Sequence, residues 1–205
     1  MSGLRVGVLA SGEGTNLQAV LDRVHGRDGI EVVAVASDRE GAPALERAAG
    51  AGIERAVFAA TAYADRAERD AAMAEWLAAR EVGLVVLAGY MQLLTPAFLA
   101  RFPNAVINVH PALLPAFRGV DAVGQAVAHG VKVFGVTVHY VDEGVDSGPI
   151  ILQRAIELPD ARDAAEVAER LRPLEHELLP EAIRLFARGA LSPDPALPRR
   201  IRIRA

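Results

Sequence analysis

VINVHPALLP, residues 106–115, decides how the rest of the chain is read. An apolar run ends at Pro111, which has no N–H and cannot continue a central ladder, so a strand must stop at His110. Side chains two apart on a strand point the same way, which puts the amide of Asn108 and the imidazole of His110 on one side. The end of such a strand is the carboxyl edge of a sheet, where open α/β proteins bind their ligands.

Upstream, strand and helix patterns alternate. LRVGVLA (4–10) reads as a strand stopped by SGEG, and TNLQAVLDRV (15–24) carries Leu17, Val20, Leu21 and Val24 at helical spacing. EVVAVASD (31–38) predicts a second strand, PALERAAGAG (43–52) a helix ended by glycine, and residues 53–58 a third, short strand. A charge-laced helix over 62–80 contains Met73, Trp76 and Leu77, and GLVVLAGY (83–90) follows as a strand. Thr95 and Pro96 read as the N-cap and first position of a helix over 95–102. With AVINVH (105–110) as the fifth strand, the alternation predicts an α/β fold with a mostly parallel central sheet. Downstream of residue 130 the pattern changes. KVFGVTVHYV (132–141) and GPIILQRAIEL (148–158), joined by DEGVDS, predict an antiparallel hairpin. A helix from about Asp163 to Arg188 is expected to bend or break at Pro173 and Pro180. The reading is one domain, residues 1–190, and an extended Arg-rich C-terminal tail, 191–205.

Composition excludes several classes. At 205 residues and 52% hydrophobic, the chain buries a core of its own. Without cysteine there are no disulfides, thiol nucleophiles or iron–sulfur clusters, which fits a reducing compartment. The apolar run in Met1–Ala10 is too short for a signal peptide and far below the ~20 residues of a membrane span, so a cytoplasmic protein without a membrane partner is expected. The net charge of −4 argues against a nucleic-acid partner. RRIRIRA, at the C-terminus, nonetheless concentrates four of the 22 basic residues, of which only Lys132 is a lysine, and reads as a solvated end.

Two regions carry chemistry. SGEGTN (11–16) is a glycine turn entering a helix, which presents backbone N–H groups and a positive dipole end to an anion. Leu17 stands where a dinucleotide fingerprint has its third glycine, and no Lys-Ser/Thr follows, so one terminal phosphate fits better than a dinucleotide or nucleoside triphosphate. A tight turn without ligand is the plain alternative, and Glu13 must face solvent if a phosphate binds. At the other region, the hairpin loop offers Asp142, Glu143 and Asp146 to His110, and a carboxylate beside an imidazole increases its basicity. His139 shares a strand face with Thr137, where mid-strand placement reads as packed and structural. A metal site from His110, His139 and Asp142 is disfavoured because no ligand pair at metal spacing accompanies them.

SGEGTNLQAV, LAGYMQLL, INVHPALLP and HYVDEGVDSGPIILQ, in this order, resemble the folate-dependent phosphoribosylglycinamide formyltransferases in their small single-domain form, over about residues 5–188. The resemblance implies a Rossmann-like formyltransferase fold with a C-terminal antiparallel hairpin and helix. It implies transfer of a formyl group from 10-formyltetrahydrofolate, as co-substrate, to the amine of glycinamide ribonucleotide in purine (IMP) biosynthesis, with no permanently bound cofactor and no metal. Position by position, it places Asn108, His110 and Asp146 in a catalytic trio, and Gly14, Thr15 and Asn16 in the turn holding the ribonucleotide phosphate. Glu175 falls on a substrate-contacting acid, and Arg66, Met91, Gln92, Leu93 and Leu94, with Asn108, on folate contacts. It leaves a homodimer open. Two positions depart from the pattern: Glu13 replaces a small or amide residue, and Arg118-Gly119 replaces a common Pro-Gly. Hydrolysis of formyl-folate, or transfer to another amine, would use the same trio and stands as the alternative.

Overall fold

Val- and Leu-rich runs become parallel strands wherever both of their faces are covered. In the computed structural model, which describes residues 3–204, these runs lie in the first of two compact units, Met1–Asn108 and Val109–Ala205. The first unit contains β1 (Leu4–Leu9), α1 (Thr15–Arg23), β2 (Ile30–Ser37), α2 (Pro43–Gly50), β3 (Glu54–Val57), α3 (Arg66–Ala78), β4 (Leu84–Leu87) and α4 (Pro96–Arg101). It closes with β5 (Val106–His110), whose last two residues begin the second unit. The strand order is β3-β2-β1-β4-β5, with every pair parallel. β4 is buried at all four positions.

Local chemistry sets the helix starts. Thr95 caps α4 by accepting from the Phe98 N–H, and Pro96 occupies the first turn, as the sequence predicts. α3 begins at Arg66, later than the periodicity suggests, because Ala60–Ala62 forms a separate 3-10 turn and the Asp65 carboxylate then caps the helix through the Glu68 N–H at 2.9 Å.

The second unit contains α5 (Ala122–Ala128), β6 (Val133–Tyr140), β7 (Ile150–Glu157), α6 (Ala164–Ala187), β8 (Leu191–Pro193) and β9 (Ile201–Ile203). β6 and β7 form the expected antiparallel hairpin, and α6 packs on both. α6 is one continuous helix through Pro173 and Pro180, so of the bend or break expected there, the break does not occur. Each proline removes an intrahelical hydrogen bond. The stripe it interrupts is nonetheless anchored on both sides, by Val167 and Leu171 before Pro173 and by Leu178, Leu179 and Ile183 after it. α5 has no counterpart in the sequence reading; Asp121 caps it through the Gly124 N–H. Residues 191–204 are not a free extended end, since β8 and β9 pair antiparallel; Ala205 lies outside the described residues. No helix among the described residues is long and apolar enough to cross a membrane.

Arg69 and Asp70 are 2% and 0% exposed, with Arg69 Nη2 at 2.7 Å from Asp70 Oδ1. The second Asp70 oxygen accepts from the Thr95 N–H at 2.7 Å, so the pair fixes the start of α4. Removing one member leaves an uncompensated buried charge. Asp70→Ala is expected to cost about 3–5 kcal/mol of unfolding free energy in urea titration.

Candidate active site

The loop after β5 is held to β6 by one hydroxyl. Thr137 Oγ1 donates to the Ala112 carbonyl at 2.7 Å and accepts from the Leu114 N–H at 3.1 Å, while Gln153 Nε2 reaches both that hydroxyl and the Leu114 carbonyl. Thr137 therefore has the packed, structural place its strand position suggests. The loop then brings the Phe117 carbonyl to 2.8 Å from His110 Nε2, with Phe117 at φ 52° and its ring against His129 at the end of α5.

Asp146 is where the loops converge. Its Oδ2 accepts from the Gly119 N–H at 2.8 Å and lies 3.4 Å from His110 Nδ1. Its Oδ1 lies 3.5 Å from His139 Nε2, and His139 Nδ1 is 2.7 Å from the Tyr140 carbonyl. Both imidazoles are buried, and the carboxylate side chain is 15% exposed. Burial alone would raise the Asp146 carboxyl. Hydrogen bonds from His139 and the Gly119 N–H, and the charges of His110 and His139, outweigh burial and hold the carboxyl below its ordinary range. Each ring nitrogen of the two histidines thus lies within 3.5 Å of an Asp146 oxygen or a backbone carbonyl.

Asp146 has φ 45°, a left-handed conformation uncommon for a residue with a side chain. Its loop is tied internally: Asp142 Oδ1 accepts from Ser147 Oγ at 2.6 Å and from the Gly144 N–H at 3.1 Å, and the Tyr140 N–H donates to the Pro149 carbonyl. Asp142 is therefore spent on loop closure. Gly148 is required at the neck, because a Cβ there would run into the Tyr140 carbonyl.

Asn108 occupies a half-buried position on β5, two residues before His110, with Leu87 of β4 as its register partner. Glu175 is half-buried on α6.

In the first unit, Gly14 precedes α1 at φ 71°, and no side chain caps the helix's first turn. A Cβ on Gly14 would come within 2.8 Å of Ala44, so both conformation and close approach require glycine there. Thr15 and Asn16 follow, half-buried. Glu13 is exposed, and its carbonyl accepts from Arg47 Nε. Arg66 is exposed at the start of α3.

The 91–94 segment is pinned from below. The Met91 N–H donates to Ser11 Oγ, Gln92 Nε2 donates to Asp38 Oδ2 at 3.0 Å, and Arg69 Nη1 donates to Gln92 Oε1. Met91 and Leu93 are 60% and 54% exposed, whereas Leu94 is buried.

Residue reasoning missed His139 as a partner of Asp146; the cue was its position on the strand leading into the acid loop. It also missed Arg69 and Asp70, although Asp70, Met73 and Leu77 recur at helical spacing. The Gly119 N–H and Phe117 carbonyl are backbone groups and left no cue. Among the described residues no group of three or more His, Asp or Glu is arranged to hold a metal ion.

Parallel Rossmann-like strands and a C-terminal hairpin, with an acid–imidazole cluster beyond the end of β5, have the layout of an α/β group-transfer enzyme. The Formyl transferase family pattern matches residues 4–183, and the chain belongs to that family. A phosphoribosylglycinamide formyltransferase of Bacillus subtilis (strain 168) is 42% identical over 178 residues, 86% of this chain and 91% of that protein. One from Mycobacterium tuberculosis (strain CDC 1551 / Oshkosh) is 43% identical over 183 residues, 89% and 85% of the two chains. The crystal structure of glycinamide ribonucleotide transformylase 1 from Symbiobacterium toebii superposes with a TM-score of 0.95 at 49% identity, covering 100% of this chain and 95% of that one.

Because the folded Asp146 carboxyl is depressed, its ionised form stabilises the fold above the unfolded value near 3.9, and that stabilisation is lost as pH falls through the folded value. Asp146→Asn is expected to unfold at lower urea than the parent at neutral pH. The gap should close progressively below about pH 4.

Proposed function

We propose that this chain transfers the formyl group of 10-formyltetrahydrofolate to the amine of N1-(5-phosphoribosyl)glycinamide, a step of purine biosynthesis. The observation that carries the reading is the Asp146 carboxylate at 3.4 Å from His110, in a chain related to phosphoribosylglycinamide formyltransferases.

The acceptor is a primary amine whose pKa near 8 leaves roughly a tenth of it neutral at pH 7, so it needs little activation. Its nitrogen lone pair attacks the formyl carbon, and the carbonyl π pair moves onto oxygen. The resulting tetrahedral adduct carries a negative oxygen and a positive nitrogen. The Asn108 amide donates to that oxygen, and such a donor is worth about 3–4 kcal/mol in the transition state. His110 Nε2–H, held by the Phe117 carbonyl, exchanges a neutral acceptor for an anionic one when it turns to the adduct. Asp146 stays ionised beside the imidazole as its counter-charge and orients a water that carries the proton lost by the attacking nitrogen to the folate nitrogen. The folate nitrogen takes up a proton as its bond to the formyl carbon breaks and the carbonyl re-forms. No covalent enzyme intermediate is needed.

Gly14, Thr15 and Asn16 hold the ribonucleotide phosphate at the positive end of α1, and Glu175 contacts the same substrate. Arg66 and the Met91–Leu94 segment serve the folate. The exposed Met91 and Leu93 supply apolar surface, whereas the Gln92 side chain, engaged by Asp38 and Arg69, holds the segment in shape.

Purified protein given both substrates should consume formyl-folate and yield formylated ribonucleotide. His110→Ala and Asp146→Ala are each expected to lower kcat by about 100-fold or more while shifting either KM little. Near-normal turnover in both would remove the assignment, and formate release at the same rate without the amine would identify a hydrolase instead. The unphosphorylated riboside should bind far more weakly than the ribonucleotide; equal binding means residues 14–16 have another role.

A further inference from the structure

The Arg-rich C-terminal segment lies beyond the matched residues 4–183, and the proposed chemistry makes no use of it. It is nevertheless built. Asp194, 3% exposed, accepts from the Ala196 N–H and from Arg202 Nε, both at 2.9 Å, and its own N–H donates to the Arg200 carbonyl at 2.8 Å. The Arg204 N–H closes the hairpin on the Ala190 carbonyl, at the foot of α6. A buried aspartate held by two bonds to its carboxylate and one from its own N–H fixes the course of residues 194–202.

That course ends on the acid loop. Arg200 forms a β-bridge with Ile150, the first residue of β7, and Arg199 Nη2 donates to the Ser147 carbonyl at 2.5 Å. Ser147 follows Asp146 directly, so the two contacts bracket Gly148-Pro149 at the closing end of the loop. The loop needs holding there: a left-handed conformation strains an aspartate, and relaxing it would turn the carboxylate away from its imidazoles.

We propose that the β8–β9 hairpin braces the Asp146 loop, with Arg199 as a positioning residue that holds the Ser147 carbonyl and so keeps the Asp146 carboxylate aimed at His110 and His139. This rests on the catalytic reading of Asp146. Arg199 touches no reacting atom and acts only through the loop. Its guanidinium suits the task, because it presents donors in a fixed plane.

The test compares the full-length protein with Arg199→Ala and Arg199→Lys by amide hydrogen exchange over residues 142–149 and by steady-state kinetics. The Ser147 contact is exposed, so both variants should fold with melting temperatures close to the parent. In Arg199→Ala, loop exchange should quicken and kcat fall, each by roughly fivefold, with the ribonucleotide KM within twofold; Arg199→Lys should recover part of both. Unchanged exchange overturns the brace. Faster exchange with unchanged kcat, where Asp146→Ala is itself inactive, overturns the positioning role. If Asp146→Ala keeps full turnover, the catalytic reading fails separately, and the exchange result still decides whether the hairpin holds the loop.

Discussion

One carboxylate shared between two imidazoles is the constraint on which the second unit depends. Burying a charge is costly unless it is paired and hydrogen-bonded, and Asp146 answers that cost with the Gly119 N–H and two histidine nitrogens. Each partner arrives from a different segment: His110 from the end of β5, His139 from β6, Gly119 from the loop before α5. The backbone has been shaped around them. Phe117, Gly119, Asp121 and Asp146 all have positive φ, and the hydroxyl of Thr137 ties the intervening chain to the hairpin. The carboxylate is therefore positioned by groups that also compensate its charge, the arrangement general acid–base chemistry requires.

The first unit solves a simpler problem with the parallel α/β plan. Covered strands end together, so turns of different sequence emerge at one edge. There the helix α1 begins behind a glycine that neither a Cβ nor an ordinary φ would permit. The 91–94 segment is shaped by a buried Arg69–Asp70 pair, Gln92, Asp38 and the Ser11 hydroxyl. Its exposed apolar residues, Met91 and Leu93, are thus presented on a hydrogen-bonded support.

Much of this was legible in the chain because local signals agreed with the global fold. Pro111 ends β5 where it must, Thr95 and Pro96 start α4 by capping chemistry, and the β6–β7 hairpin follows from two β-rich runs around an acidic loop. What escaped has physical causes in each case. Pro173 and Pro180 argue locally for a bent or broken helix, but packing on both sides of them keeps it continuous. Arg69 and Asp70 look like a solvated charge pair until their place on the buried face of α3 is known. Strand position alone places His139 in packing, because it reveals a face and not the loop that folds over it. The four C-terminal arginines are exposed, as a solvated end predicts; what escaped is the pairing of β8 with β9, two three-residue strands with no periodic pattern to mark them.

The most direct measurement is the carboxyl carbon resonance of Asp146, followed through an acid titration of the folded protein and assigned by Asp146→Asn. A charge held by two imidazoles and a backbone N–H should titrate below the ordinary aspartate value of about 3.9. A midpoint at or above that value would mean that burial prevails, that the carboxylate is not shared as described, and that the proposed proton chemistry at His110 lacks its counter-charge.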